Sequence, residues 1–198
     1  MVTIDIPNTF NMQRRRFMLS VFVTTALATL SRATNLIAMS MKNGFITRSG
    51  ETRNGMHLTM KGVTANTLDL KIGSADTDGG MAVFEQIGKS PNGGPPLHVH
   101  AAQDEYFHVL DGSYRFQVGD ERFPASMGDT VFLPRGVPHA FIQLTDHARM
   151  LVTYQPAGDM EAFFQETAQW TTPPSKEEVA RVFLAHGMEV VGPPLQVE

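Results

Sequence analysis

The chain has 198 residues, 42% of them hydrophobic and 18% charged, with a formal net charge of −4; these values suit one globular domain able to bury a core without covalent staples. It contains no cysteine, which excludes disulfides, thiolate metal sites, iron–sulfur clusters and cysteine nucleophiles, and leaves nitrogen and oxygen to hold any metal. The mildly acidic balance offers no nucleic-acid surface.

At the N-terminus no acidic residue lies between Asp5 and Glu51, while Arg14, Arg15, Arg16, Arg32, Lys42 and Arg48 all fall in that window. An uncharged run from Phe17 to Ser31 follows the arginine block. It is shorter than the roughly 20 apolar residues of a membrane span and has the length of an export signal, so no stable span is expected in the mature chain. Arg14-Arg15-Arg16-Phe17-Met18 resembles the twin-arginine (Tat) export signal, although Gln13 and Leu19 depart from it. Ser31-Arg32-Ala33 offers a cleavage site, and Met12 an alternative start. Export to the periplasm or the extracellular space is expected, against a transit peptide or an untranslated upstream region with a cytoplasmic or organellar protein. Residues 1–45 are set apart as a signal-like or disordered segment.

From Met56 the pattern changes to short segments bounded by Gly, Asn, Asp and Pro. Strands are predicted at 56–60, 67–72, 81–87, 97–100, 106–110, 114–118, 121–123, 130–133, 139–144 and 148–154, spaced as in an all-β antiparallel sandwich or barrel over residues 46–156. Asp76 to Gly80 and Gly119-Asp120 read as hairpin turns. After Pro156 the period becomes helical and predicts a C-terminal helical extension over 157–198. Its first helix is capped by Asp159 and carries Met160, Phe163, Phe164, Thr167 and Ala168 on one face. The second is capped by Ser175 with Glu178 three residues on, carries Val179, Val182 and Phe183, and stops at Gly187.

Four of the seven histidines, His98, His100, His108 and His139, fall in one stretch. Strand residues two apart share a face, so His98 and His100 point inward and Val99 outward. A barrel interior gathers side chains from distant strands, and turns place Glu105 and His139 to join them. Three neutral imidazoles and one carboxylate suit one divalent transition metal (Fe, Mn, Ni, Co, Cu or Zn), with positions open to water, O2 or substrate. Alternation from Glu105 turns Phe107 and Val109 inward and His108 outward; His57, His147 and His186 read as packing or surface residues. Phe107 and Phe141 are expected to line the cavity, with Gln143 deeper or at its rim and Phe84, Gln86 and Phe116 as further candidates. Such a cavity suits an apolar or aromatic small molecule. It suits phosphates poorly, because the nearby cation, Arg135, sits in a turn.

These residues resemble the cupin superfamily, small jelly-roll-like antiparallel β-barrels with motifs G(X)5HXH(X)3-4E(X)6G and G(X)5PXG(X)2H(X)3N. His98, His100, Glu105 and Gly112 keep the first spacing; Gly128, Pro134, Gly136 and His139 keep the second. Asn92 replaces the first glycine, beside Gly93 and Gly94, and Gln143 replaces the final asparagine. The resemblance implies His98, His100, Glu105 and His139 as metal ligands and a homodimer.

Within the superfamily the chain is similar to single-barrel members compared with quercetinase, the flavonol 2,3-dioxygenase, through Pro95 to His100, Asp104-Glu105, Pro134 to Phe141 and the Phe163-Phe164 helix. That resemblance implies an O2-dependent oxygenase of an enol or phenolic small molecule, with Glu105 both ligand and catalytic proton acceptor. Two other readings stay open: non-redox isomerase or lyase chemistry, which needs a separate proton acceptor in the cavity where the sequence offers none beyond Glu105, and a non-catalytic module binding metal and a small ligand.

Overall fold

The structure, a computed structural model, describes residues 43–197, and its compact unit begins at Ile46. The N-terminal segment expected to be signal-like lies, up to residue 42, outside the described residues. Ten strands follow one another along the chain: β1 (His57–Met60), β2 (Asn66–Ile72), β3 (Ala82–Gly88), β4 (Pro96–His100), β5 (Asp104–Asp111), β6 (Ser113–Val118), β7 (Glu121–Ser126), β8 (Thr130–Leu133), β9 (His139–Gln143) and β10 (Ala148–Gln155). Helices α1 (Met160–Thr167) and α2 (Lys176–Ala185) come next, then a last strand, β11 (Met188–Pro194). They make a six-stranded sheet ordered β1-β2-β3-β10-β5-β8 and a five-stranded sheet ordered β11-β4-β9-β6-β7. Apolar side chains of the inner faces, among them Leu70, Phe84, Tyr114, Phe116 and Met150, fill the space between them and are fully buried. Among the described residues no helix is long and apolar enough to cross a membrane.

Each predicted strand has its counterpart, because period-2 burial of this kind works only if one face meets the core; β5, for example, buries Glu105, Phe107 and Val109 and leaves Tyr106 exposed. Between β2 and β3 the expected simple hairpin is replaced by a 3-10 turn at Ser74–Asp76 and left-handed Asp78 and Gly79. Ser175 caps α2 by accepting from the Glu178 amide at 3.1 Å, and Gly187 stops it with φ +82°. Asp159 precedes α1 without a side-chain cap; its carboxylate instead takes a 2.5 Å contact from His186 Nδ1 beyond the end of α2, and His186 Nε2 reaches Glu166 on α1 at 2.9 Å. The two helices are thereby clasped by one imidazole.

β11 went unpredicted because Gly192-Pro193-Pro194 breaks the strand pattern. It fits as an edge strand on β4 with register irregularities at those residues, where a missing N–H costs no ladder bond.

The sequence departure at Asn92 is absorbed locally. Asn92 sits at φ +65°, a left-handed conformation that asparagine tolerates better than most residues. The close approach falls to Gly94 instead, where an added Cβ would lie 1.8 Å from the Phe141 carbonyl oxygen. Since that atom is backbone of β9, Gly94→Ala is expected to destabilise the fold by about 3 kcal/mol, the upper range of overpacking costs, read as a lowered urea midpoint; an unchanged midpoint would contradict the packing.

Candidate metal centre

His98 and His100 project from β4 on the same face, both buried. His139 opens β9 directly opposite His98 in the strand register, which brings the two rings to 4.6 Å. Glu105 comes from β5 in the other sheet, so the cluster bridges the two layers. One ligand atom from each of the four lies within 4.8 Å of the others.

Hydrogen bonds at the outer ring nitrogens settle the tautomers. His98 Nδ1–H donates to the Pro96 carbonyl at 2.8 Å and His139 Nδ1–H to the Val137 carbonyl at 3.0 Å; a carbonyl can only accept. His100 Nδ1–H donates to Gln103 Oε1 at 3.0 Å. That oxygen is fixed as the acceptor because the Gln103 amide nitrogen donates to the carbonyls of Pro156 and Ala157. In the neutral rings every Nε2 therefore carries a lone pair. His100 Nε2, His139 Nε2 and Glu105 Oε1 are buried without hydrogen-bond partners, although His100 Nε2 and Glu105 Oε1 lie only 2.6 Å apart. Two acceptors this close need a cation, a proton or a metal, to share, and a cluster of imidazole and carboxylate acceptors fits a divalent metal.

The electrostatics agree. Burial, reinforced by the His139 imidazole, pushes His98 down to about 3, so it is neutral at ordinary pH. Burial alone would lower His100 too, but the Glu105 carboxylate outweighs it and raises it. Burial would raise Glu105, and the charge of His100 overcomes this and holds the carboxyl below its usual range. In the metal-free protein a proton thus holds His100 and Glu105 together, and metal must displace it.

A stability consequence follows. The His100 contribution is complete below pH 6.5 and fades only as pH rises. His98 acts oppositely: below 6.5 its unfolded form takes up a proton that the folded form refuses, so stability falls as pH falls. Metal-free protein is expected to lose stability between pH 6.5 and 4.5 in urea titrations, and a flat profile there would contradict the buried neutral His98.

Gln103 was missed by sequence reasoning, although a polar residue between the second histidine and the glutamate was a visible signal. It is 6% exposed. Gly158, at φ +54°, makes room for it, since a Cβ there would meet its amide nitrogen at 2.5 Å. Gln103→Leu should lower metal affinity about 10- to 100-fold, the usual effect of losing a partner that orients a ligand; chelator competition measures it, and unchanged affinity would show the tether to be idle.

Residues 90–154 match the family described as Cupin domain. The chain carries a cupin domain. Over 65 residues this chain is 35% identical to Quercetin 2,3-dioxygenase of Bacillus subtilis (strain 168), a match covering 33% of this chain and 19% of that protein. It is 36% identical over 55 residues to an uncharacterized protein of Streptomyces coelicolor, covering 28% of this chain and 52% of that one. The chain thus spans about half or less of the curated relatives it matches. The structure of KdgF from Halomonas sp. superposes with a TM-score of 0.50 at 13% identity, over 60% of this chain and 97% of that one, which is a likeness of fold.

The cavity has a volume of about 810 Å³ including its open mouth, and Glu105, His98 and His139 reach its wall. Phe107 and Phe141 line it as expected. Three further residues expected there do not. Gln143 turns aside to donate to the carbonyls of Thr145 and Asp146. Phe84 is fully buried behind the wall, edge-on to Tyr154 and Phe164. Phe116 is fully buried too, packed on Tyr114 and Phe123. Gln86, a weaker candidate, does border the cavity.

Residues outside the motifs complete the wall. Phe163, Phe164 and Trp170 come from α1 and the segment after it, and Phe183 of α2 stands edge-on to His98 at 5.2 Å. Tyr154 of β10 lies directly opposite Glu105 in the register, and burial raises its phenol well above the usual value, the Glu105 charge adding to it. Arg135 serves the scaffold: it is bound to Asp104 through Nε and Nη2, and this partner holds Asp104 at about 2. His108 pairs with Thr130 at 2.9 Å on the outer side of β5.

Proposed function

We propose that the protein is a metal-dependent dioxygenase of a flavonol-like or other enol or phenolic small molecule. One observation carries the reading: the ionised Glu105 shares an otherwise largely apolar cavity with the lone pairs of a three-histidine cluster. The partial identity to a protein named Quercetin 2,3-dioxygenase supports it.

His98, His100, Glu105 and His139 would hold the metal, which when bound supplies electrophilic activation of a substrate oxygen and a route for electrons to O2. Glu105, buried and ionised, accepts the proton of the substrate hydroxyl. Phe107, Phe141, Phe163 and Phe183 stack around the ring system and exclude water, which strengthens the charge interactions at Glu105. Both atoms of O2 enter the product, so no external reductant is required. The test is elemental analysis followed by O2 uptake with a flavonol and catechol panel under several metals; stoichiometric loading without uptake would overturn the reading.

Tyr154 favours a second reading, non-redox isomerase or lyase chemistry. Its protonated phenol beside Glu105 provides the donor that this chemistry needs alongside an acceptor. Turnover under anaerobic conditions would select it over oxygenation, and ligand binding without any turnover would select a binding module.

Export is part of the proposal, supported by Arg14-Arg15-Arg16-Phe17-Met18; cell fractionation of a chain with Arg14 and Arg15 changed to Lys tests it, with retention in the cytoplasm expected. The proposed homodimer predicts twice the monomer mass by sedimentation.

A further inference from the structure

The cavity has a second polar pole away from the metal ligands. Asn66, at the start of β2, borders it and is 8% exposed. Its amide nitrogen donates to Thr64 Oγ1 at 2.9 Å, which fixes the carboxamide and leaves Oδ1 buried with no hydrogen-bond partner. A buried acceptor left unsatisfied is costly and tends to be matched by something that fills the space. Gln86 lies beside it: Asn66 pairs with Gly88 and Leu68 with Gln86 across β2 and β3, so the two amides are diagonal neighbours on the inner face, within reach of one ligand group.

Glu105 is level with Tyr154 and Tyr154 with Ala82, whereas Asn66 is level with Gly88; Asn66 therefore stands six residues along the strands from the level of Glu105 and three strands away across the sheet, at the far end of the cavity from the metal ligands. The wall between them includes Leu68, Phe107 and Val152, which offer a ligand no polar contact.

We propose that Asn66 is a specificity-determining residue that accepts a hydrogen bond from a hydroxyl or N–H at the end of the ligand remote from the metal, making the ligand class a two-ended aromatic with an oxygen donor at one end and a hydrogen-bond donor at the other. This deepens, and rests on, the proposed action on a flavonol-like molecule. The carboxamide oxygen selects for a donor: an ether or methoxy group at that place leaves Oδ1 unmatched and adds bulk against Asn66.

The test measures binding, by calorimetry on the metal-loaded full chain, of 3-hydroxyflavone and its 4′-hydroxy derivative to wild type and to Asn66→Leu, a substitution of similar volume without polar atoms. Wild type should bind the hydroxylated compound about tenfold more tightly, and N66L should bind both alike, with metal content and affinity for 3-hydroxyflavone unchanged. Equal affinities in wild type, or a preference that survives in N66L, would overturn the role of Asn66 and leave the proposed function standing. Failure of both compounds to bind wild type would overturn the flavonol-like ligand and this inference with it. Should N66L not fold, Asn66→Asp decides instead. Its added charge strengthens the acceptor, so the preference for the hydroxylated compound should be kept or increased, and its loss would count against the proposal.

Discussion

His98→Ala should purify with less than about one-tenth of the metal found in wild type. The imidazole offers one of four candidate ligand atoms in a cluster whose members lie within 4.8 Å of one another, and the Phe183 ring that faces it has no lone pair to put in its place. Metal at a hundredfold excess over its dissociation constant stabilises a protein by about 2.7 kcal/mol, so added metal should raise the melting temperature of wild type and not that of the variant. The pairing of the two readouts separates ligation from folding: a variant that folds, melts like metal-free wild type and ignores metal has lost a ligand. Unchanged metal content would show the four-residue assignment to be wrong.

Glu105→Gln is expected to lower turnover by a factor of about 10² to 10⁴, the range for removing a positioned proton acceptor. The substitution keeps the shape of a side chain that is only 2% exposed, and the new amide can donate to the lone pair of His100 Nε2, so the fold should survive. What disappears is the negative charge that raises His100 and, among the described residues, the only carboxylate bordering the cavity. Three imidazoles remain, so some metal should still bind. Turnover is compared at equal metal loading, and wild-type rates in the variant would remove Glu105 from the proton path.

How much was legible in the sequence differs from residue to residue. The inward aim of His98, His100, Glu105 and Phe107 followed from a two-residue period, because a pleated strand has no other way to distribute its side chains. Phe84 and Phe116 obey the same alternation and face inward as well, yet they lie behind the cavity wall; alternation chooses a face, whereas depth depends on what stands in front, here Tyr154 and Phe164 for Phe84. Gln143 was misplaced for a different reason. Its amide found loop carbonyls two and three residues away, a local competition that a strand pattern does not register.

The sequence by itself determined which four side chains, His98, His100, Glu105 and His139, gather at one point, the ten strands from β1 to β10 and the lack of any thiolate. These depend on residue type, spacing and local periodicity. Only the tertiary structure decided the tautomers of the three imidazoles, the tether through Gln103 to the carbonyls of Pro156 and Ala157, the place of Tyr154 beside Glu105 and the unmatched Asn66 oxygen. The tautomers rest on partners two or three residues away held by the folded backbone; the others are contacts between segments far apart in the chain or a polar atom left over when the sheets close, and such relations exist only once the chain has folded.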